Sequence, residues 1–297
     1  MNLRGLTTTV GAVGAACITY GVVVERTWWR LRHVHLHGAL RPGAQRPVRL
    51  LHVSDVHLIP GQDSKVDFIR AAAREQADLV VMTGDLLGAA DTEEAAVRAL
   101  APLTAGGRPG VLVLGSNDLF GPTFKNPFAY MTDPDRREHG NPLDTDRLLD
   151  GLAQNGVRTL RNESVEVATA AGPVAVAGID DPHLHDTVLP DIDVLRPTID
   201  DAVLHLGLVH APYTAALDLL VDAGHDLLLS GHTHGGQVRF PPIGAVVGNC
   251  DLPLDQIRGE SRYRDRWLHV SPGLGTSQFA PFRFACRPEI TVLTLVP

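Results

Sequence analysis

Ser230-Gly231-His232-Thr233-His234-Gly235-Gly236-Gln237 is the stretch from which the rest of the chain can be interpreted. It follows Asp226-Leu227-Leu228-Leu229, a short apolar block that predicts a buried strand. The turn after this strand presents two imidazoles one residue apart, beside glycines that leave room for a bound group. Histidine is the commonest side-chain metal ligand, so the pair can hold one ion or two neighbouring ions. Two close histidines on a loop are, however, more often exposed to solvent, and other parts of the chain must distinguish these alternatives.

Four apolar blocks upstream end in polar residues in the same manner. In chain order, Asp55 and His57 follow Val48–Val53, Asp85 follows Leu79–Met82, Ser116-Asn117-Asp118 follows Val111–Leu114, and His210 follows Leu204–Val209. Two predicted helices with capping signals, which begin near Asp63 and at Asp91-Thr92-Glu93-Glu94, lie between the first and second and between the second and third of these strands. This alternation predicts a layered α/β fold with largely parallel strands at its centre. Because the carboxyl ends of parallel strands meet at one rim, we expect these polar side chains to lie together.

The mixture of side chains at the strand ends favours a metal centre. Taken singly, each can be explained as a helix cap, a turn or a hydrogen-bonded core histidine, but chance rarely places all of them at strand ends. Carboxylates, imidazoles and an amide suit Mn²⁺, Fe²⁺ or Zn²⁺ better than thiolate-preferring ions or all-oxygen Ca²⁺ sites. These ligands exceed what one ion needs. Two divalent ions about 3.5–4 Å apart, sharing a carboxylate and a hydroxide, would hold the attacking and leaving oxygens of a phosphate displacement.

The order of these motifs resembles that of the calcineurin-like metallophosphoesterases, from about Val48 to the C-terminus. The blocks Asp55-Val56-His57, Gly84-Asp85 and Gly231-His232-Thr233-His234 carry the resemblance. It implies a four-layer α-β-β-α sandwich and hydrolysis of phosphoesters at a dinuclear centre, by in-line attack of a metal-bound hydroxide on phosphorus. The implied ligands are Asp55, His57, Asp85 and His234 for one ion, and Asp85 as the bridge, an amide, His210 and His232 for the other.

The third block departs from the family pattern, since Gly115-Ser116-Asn117-Asp118 contains no histidine. In the family, a histidine there is thought to protonate the leaving group or to stabilise the transition state. An ungapped match would place Ser116 at the ligand position, but an amide oxygen is the better ligand for a divalent ion. We therefore expect a shift of one residue, with Asn117 as a metal ligand. Asp118 would then lie near the place of the missing histidine, as a support or a weak acid.

Other side chains are candidates to assist catalysis without that histidine. Asp181 and His183 lie in a loop after a further predicted strand, and we expect His183 to act in catalysis unless this loop is merely a turn. Lys125 and Asn126 lie in the segment Phe120–Asp144, which is rich in Pro, Asn and charge. They are candidates to contact substrate phosphate, although a solvated loop explains them equally well.

The N-terminal region predicts a membrane anchor. Gly5–Val24 contains no charged residue, and Trp28 and Trp29 follow among arginines. This pattern is typical of a retained membrane-spanning or signal-anchor helix within residues 1–32, with a cleaved signal peptide as the alternative. More arginines follow the span than precede it, so we expect membrane association with the main domain on the cytoplasmic side; export is the alternative.

Residues 33–47 are expected to form a linker and residues 48–297 the metallophosphoesterase domain. His33, His35 and His37 alternate as on one solvated face of a strand. The anchor and the Gly-His-Thr-His-Gly-Gly-Gln run resemble the membrane-associated branch of the family, which includes lipid-linked nucleotide-sugar pyrophosphatases. The resemblance therefore implies a phosphoester substrate that is lipid-linked or a nucleotide.

Composition excludes several other functions. The formal net charge is −8, and no cluster of Lys and Arg stands out beyond residue 50, which argues against binding of a nucleic-acid polymer. Cys17, Cys250 and Cys286 are far apart, so they indicate neither a disulfide framework nor a zinc-thiolate site. A serine hydrolase is poorly supported, since the chain has no G-x-S-x-G motif. The leading hypothesis is a metal-dependent phosphodiesterase or pyrophosphatase; the alternative is a membrane-tethered metal-binding protein of the same fold that has lost turnover.

Overall fold

In the computed structural model, residues 3–123, 140–184 and 188–297 are described. Within these residues, the longer strands form two six-stranded sheets. In spatial order, the first sheet contains β1 (Arg30–His37), β14 (Glu289–Val296), β2 (Val48–Val53), β3 (Leu79–Met82), β4 (Gly110–Leu112) and β5 (Val157–Thr159). The second contains β12 (Gly259–Tyr263), β13 (Arg266–Val270), β9 (Leu227–Ser230), β8 (Leu204–Val209), β7 (Gly172–Ile179) and β6 (Glu163–Thr169). A separate hairpin consists of β10 (Arg239–Phe240) and β11 (Gly244–Ala245).

The centre of each sheet is parallel, which confirms the prediction from alternating strands and helices. β2, β3, β4 and β5 run parallel in the first sheet, as do β7, β8, β9 and β13 in the second. β14 is antiparallel to β2, and the outer pairs β12–β13 and β6–β7 are also antiparallel. Both sheets are therefore mixed, and the predicted ligands lie at the carboxyl ends of their parallel strands.

The helices lie outside the sheets. They are α1 (Leu3–Thr19), α2 (Asp63–Ala72), α3 (Glu93–Leu100), α4 (Ser116–Leu119), α5 (Thr145–Ala153) and α6 (Thr214–Ala223), with 3₁₀ segments at Glu25–Thr27, Ala101–Gly107, Ile192–Leu195 and His234–Gly236. Successive residues of a strand point to opposite faces, and the central strands here are apolar on both. Leu50 of β2 packs between the sheets, whereas its neighbour Leu51 packs with α2 and α3. In β9, likewise, Leu229 packs between the sheets, whereas Leu228 packs against α6. The layers therefore follow the order α-β-β-α.

The first sheet begins at Arg30, ahead of residue 48, where the sequence predicts the domain to start. β1 pairs in parallel with β14 along its whole length. Val34 and Leu36 are buried in the core, whereas the alternating His33, His35 and His37 are exposed. The solvated strand face is therefore confirmed. The predicted linker at residues 33–47 contains part of this strand, because the alternation supplies an apolar face to the core.

The N-terminal helix differs from the prediction. Among the described residues, no helix combines the length and the apolar character needed to cross a bilayer. The spanning helix predicted over Gly5–Val24 is therefore not supported. α1 has 17 residues, or about 26 Å at 1.5 Å per residue, and its α-helical geometry changes to a π-helix at Tyr20–Val24. Lys125 and Asn126, predicted to contact phosphate, lie outside the described residues.

Candidate metal centre

Predicted ligands from both sheets meet at the carboxyl ends of the central strands. The donor atoms of Asp55, His57 and His234 all lie within 4.8 Å of one another. Those of Asp55, Asp85 and His210 form a second group by the same measure. Oδ2 of Asp85 lies 3.5 Å from Nε2 of His57 and 3.4 Å from Nε2 of His210. Asp55 is thus shared by the two groups, while Asp85 adjoins one imidazole of each.

The backbone is strained where it delivers these side chains. Five predicted ligands have positive φ, a conformation uncommon outside glycine: Asp55, His57, Asp85, His232 and His234. Such residues cluster at functional sites, where the surrounding structure holds them in place. The chain also approaches itself closely here, because a Cβ at Gly231 would collide with the Ser54 hydroxyl and the Asp55 carboxylate. Glycine at position 231 therefore lets β9 deliver its two histidines beside Asp55.

Hydrogen bonds orient two of the imidazoles. Nδ1 of His210 lies 2.6 Å from the carbonyl oxygen of Thr83, and Nε2 of His232 lies 3.0 Å from that of Asn249. A carbonyl oxygen only accepts, so Nδ1 of His210 donates. The opposite nitrogen of His210 can then offer a lone pair to a metal, an arrangement common among metal-bound histidines. Nε2 of His232 is equally close, at 3.0 Å, to the side-chain nitrogen of Asn249, which donates, so these two contacts orient that ring without assigning its proton.

Two buried nitrogen atoms show that the cluster fits metal ions. Nε2 of His57 and Nε2 of His210 are buried and have no hydrogen-bond partner among the described residues. Buried polar atoms are nearly always paired, so such atoms in one pocket indicate a bound group. Both nitrogens face Asp85, and imidazole with carboxylate is the donor set that Mn, Fe and Zn accept.

The electrostatics of the pocket suit a cation as well. Burial lowers the pKa of His57 to about 4, so its ring is neutral at pH 7, as a ligand must be. Burial and the neighbouring Asp85 charge raise the pKa of Asp55 to about 7. Burial opposes ionisation of Asp85 too, but His210 outweighs it and holds the pKa of Asp85 well below its usual range. Two buried carboxylates this close repel each other, and a metal ion would compensate their charge. Burial lowers the pKa of His210, but Asp85 and Asp181 outweigh it and raise that pKa well above its ordinary value, so His210 is the cationic partner of Asp85 and would lose this proton on binding a metal.

The structure brings Asn117 onto the cluster. Its side-chain nitrogen Nδ2 donates to Oδ2 of Asp85 at 2.7 Å, and its backbone nitrogen donates to Oδ1 at 2.8 Å. The backbone nitrogen of Ser116 donates instead to Asp181 at 3.0 Å. Rotation of the Asn117 amide would exchange its nitrogen and oxygen, which are assigned from their hydrogen bonds. The side chain of Asn117 thus lies against Asp85, and both the shift of one residue and the ligand role of Asn117 stay predictions.

Asp118 is a buried support of the loop after β3. Its carboxylate is fully buried and accepts four backbone N–H groups, from Asp85, Leu86, Leu87 and Gly115, at 2.7–3.2 Å. The side chain thus faces peptide groups beneath the metal pocket rather than a leaving group. It fixes the loop that carries Asp85, as expected of a support. Burial and the Asp85 charge raise the pKa of Asp118 to about 7, and its alternative role as a weak acid stays a prediction.

His183 lies beside the cluster, in the loop after β7. Its ring centroid is 4.3 Å from that of His232, and its Nδ1 lies 3.0 Å from the hydroxyl of Tyr213. Asp181 accepts the backbone N–H of His183 at 3.0 Å and also that of Ser116. The loop is therefore tied to the third block, and His183 is placed next to a predicted ligand of the second ion.

A buried chain of hydrogen bonds supports Asp55, and the motif analysis missed it. His269 of β13 contacts His52 of β2 through their Nδ1 atoms at 3.0 Å. Nε2 of His52 lies 2.9 Å from the hydroxyl of Thr83, which donates to Ser54 at 2.7 Å. The Ser54 hydroxyl donates to Asp55 at 2.6 Å. All five residues are fully buried, so the chain links the two sheets beneath the metal pocket.

The direction of this chain follows from its members. Burial lowers the pKa of His269 to about 3 and that of His52 well below its usual value, so both rings are neutral. Each hydroxyl has one hydrogen, which Thr83 gives to Ser54. His52 must then donate to Thr83 and accept from His269. Every bond points towards the Asp55 carboxylate and orients it. The sequence signal that could have revealed this hydrogen-bonded network is His52, a polar residue at a buried position of the largely apolar strand β2.

Arg283 is a second functional residue that sequence reasoning missed. It is fully buried, and its Nη2 donates to carbonyl oxygens of the loop at residues 272–275 and lies 3.3 Å from Nδ1 of His234. The buried carboxylate of Glu25 accepts the backbone N–H of Cys286 in the same segment at 2.5 Å. The N-terminal region is therefore connected to the metal pocket. No local pattern marks this contact, because its partners are far apart in the sequence.

Comparison with known proteins agrees with this site. Residues 48–236 match the model of the calcineurin-like phosphoesterase family. The matched region contains every predicted metal ligand. The chain belongs to the calcineurin-like phosphoesterase family, and it is a metal-dependent hydrolase by that membership.

Individual relatives cover much of the chain. An uncharacterised metallophosphoesterase of Bacillus subtilis, YkoQ, is 30% identical over 249 residues, which is 84% of this chain and 83% of the relative. The phosphodiesterase YaeI of Escherichia coli is 29% identical over 164 residues, covering 53% of this chain and 56% of its own. A hypothetical protein from Thermus thermophilus has a solved structure with TM-score 0.45, 15% identity and 76% coverage of both chains.

Proposed function

We propose that this chain hydrolyses phosphodiester or pyrophosphate bonds at a dinuclear metal centre. The observation that carries the proposal is the buried cluster in which two carboxylates adjoin imidazole nitrogens without hydrogen-bond partners among the described residues. Two divalent ions, with Mn, Fe and Zn as candidates, would lower the pKa of bound water and stabilise charge on the phosphoryl oxygens.

Each side chain has a stated role in this proposal. One ion is held by Asp55, His57, Asp85 and His234, and the other by Asp85, Asn117, His210 and His232. The position of Asp85 between Nε2 of His57 and Nε2 of His210 supports its role as the bridge. The carbonyl oxygen that accepts from Nδ1 of His210 supports the ligand role of its opposite nitrogen, and Asn249 orients the ring of His232.

His183 is the proposed proton donor to the leaving group. Its ring lies against His232, and its Nδ1 is paired with the Tyr213 hydroxyl. Its other ring nitrogen, Nε2, would give the proton to the departing oxygen, in place of the histidine that the third block lacks. The name of the Escherichia coli relative favours a diester. A lipid-linked or nucleotide substrate, with the protein associated with a membrane, belongs to the same proposal.

The proposal is tested with full-length protein supplied with Mn²⁺, Fe²⁺ or Zn²⁺. We expect hydrolysis of bis(p-nitrophenyl) phosphate, faster than that of the monoester p-nitrophenyl phosphate. Asp85→Asn is the inactive control. Binding of two ions without turnover of either ester would favour the alternative, a metal-binding protein that has lost activity, for which the missing histidine of the third block is the supporting observation.

A further inference from the structure

A cavity separate from the metal ligands lies where the N-terminal region meets the C-terminal part of the chain. Its volume is about 540 Å³, within the range of small-molecule sites. Three arginines line it, Arg30, Arg258 and Arg287, together with the aromatic rings of Tyr20 and Phe284. Guanidinium groups bind phosphate oxygens in a bidentate manner, so this lining suits a phosphate-bearing ligand.

The cavity carries excess positive charge in an acidic protein. Arg30 and Arg258 share one carboxylate, that of Glu289, at 2.5 and 3.9 Å. Arg287 donates to the carbonyl oxygen of Trp28 and its guanidinium lies 3.9 Å from the centre of the Trp28 ring, so these contacts leave its charge unneutralised. Glu25 also lines the cavity, but its carboxylate is held by backbone N–H groups. Three guanidinium groups thus face two carboxylates, whereas the whole chain has a net charge of −8.

Exposed apolar side chains flank the cavity on two sides. On the N-terminal side, Val13, Ile18, Val23, Val24 and Trp28 are between 45% and 62% exposed. On the other side, the β10–β11 hairpin exposes Phe240 by 47% and Ile243 by 80%. Phe284 joins the two sides, since its ring centroid lies 6.4 Å from that of Tyr20 and 6.3 Å from that of Phe240. The arginines therefore share the cavity with aromatic rings that connect the N-terminal segment to the exposed hairpin.

We propose that this cavity and its flanks bind the surface of an anionic lipid bilayer. The apolar side chains would enter the acyl region, and the guanidinium groups would meet a headgroup phosphate between them. An apolar rim around a basic cavity matches the two regions of a bilayer surface, whereas a free phosphate would make no use of the rim. The inference rests on the membrane association included in the proposed function. None of these residues is a proposed metal ligand, so a failure to bind vesicles would leave the proposed hydrolysis intact.

The experiment is flotation of full-length protein with two kinds of vesicle. One is phosphatidylcholine alone and the other contains phosphatidylglycerol as well. We expect binding to the anionic vesicles that weakens with salt. Replacing both Arg258 and Arg287 by glutamine should weaken binding to the anionic vesicles roughly tenfold or more. The matched control replaces Arg98 and Arg196, two exposed ion-paired arginines, by glutamine and changes net charge equally.

Ile243→Ser tests the apolar rim without changing charge, and should also reduce vesicle binding several-fold. If thermal unfolding shows that the double arginine variant is not folded, the variant at position 243 still tests the proposal. Equal losses in the control variant would reduce the effect to net charge and overturn the proposal. Saturable binding of inorganic phosphate, lost in the Arg258 and Arg287 variant while vesicles do not bind, would assign the cavity to a free anion and overturn it too.

Discussion

The two sheets contribute unlike halves of the metal centre. The carboxylates Asp55 and Asp85 follow strands of the first sheet, whereas three of the four predicted imidazole ligands follow β8 and β9 of the second. One half is negatively charged, and the other is mostly neutral donors. The difference teaches that neither sheet can hold the ions alone, so the site exists only when the sheets are packed together.

Each half is also held in place by the other sheet. The carbonyl oxygen of Thr83, after β3, orients His210, while the backbone N–H of His232, after β9, donates to Asp55 at 3.1 Å. The contact between His52 and His269 joins the sheets directly beneath. Packing of the core and assembly of the site are therefore one event, which the following substitutions can test.

Removing residues 1–42 should have the largest effect, because it removes a whole edge strand of the first sheet and the contacts of Arg32 and Arg41 with the second. The truncated protein lacks β1, including the buried Val34 and Leu36, and lacks the Glu25 carboxylate. We expect no cooperative thermal unfolding transition and no activity. A protein that starts at Tyr20 retains these groups and should unfold like the full chain. Equal stability of the two truncated proteins would show that β1 is dispensable for the first sheet.

Asp85→Asn removes the carboxylate on which the two halves converge. We expect kcat to fall roughly 10³-fold or more, because the loss of shared charge weakens both ions. Far-UV circular dichroism should be unchanged, and metal analysis should find fewer than two ions. Asp67→Asn, at an exposed position, is the control. Two tightly held ions in Asp85→Asn would contradict the bridging role.

His183→Gln tests whether the second sheet also supplies the proton. Activity should fall roughly 10²-fold towards esters with poor, alkyl leaving groups, which need protonation. It should change little towards p-nitrophenyl esters, and bound metal should stay at the wild-type level. His33→Gln, on an exposed strand face, is the control. An equal loss with both kinds of leaving group would argue against His183 as the donor.

Asn117→Ala and Ser116→Ala together test the third block. If Asn117 is the ligand that the first half gives to the second ion, its loss should lower bound metal from two ions towards one. Ser116→Ala should bind both, since the contact of Ser116 with Asp181 uses its backbone nitrogen. The reverse pattern would show that the ungapped register is right.

Thr83→Val should have the smallest effect, since it leaves every ligand in place. It interrupts the hydrogen-bond chain to Asp55, and we expect roughly tenfold weaker metal binding in a competition titration. Thr83→Ser should restore wild-type affinity. Ser164→Ala is the control, because that buried hydroxyl has no hydrogen-bond partner among the described residues. Unchanged metal affinity in Thr83→Val would show that these hydrogen bonds only connect the two sheets and do not affect metal binding.

Much of the fold and of the ligand set could be predicted from the chain alone. Strands and helices were recognisable because alternation, caps and turns are short-range patterns. His232 and His234 were recognisable because they follow an apolar strand on a glycine-flanked turn. Asp55, Asp85 and His210 share that position, and one rule about parallel strands places them together.

Only the tertiary structure decided the parts that depend on distant contacts. The sequence indicates a strand at His33–His37 but places it outside the domain, and only pairing with β14, 259 residues further along the chain, makes β1 part of the first sheet. The sequence leaves Asp118 as either a support or a weak acid, and only the structure shows that its oxygens accept the N–H groups of residues 85–87. Arg283 belongs to no recognisable sequence motif, and only the structure shows that it contacts His234. Local sequence therefore determined which residues can bind metal, since that is a property of side-chain type and strand position. The structure decided which residues support them, because support depends on hydrogen bonds that only packing of the two sheets can form.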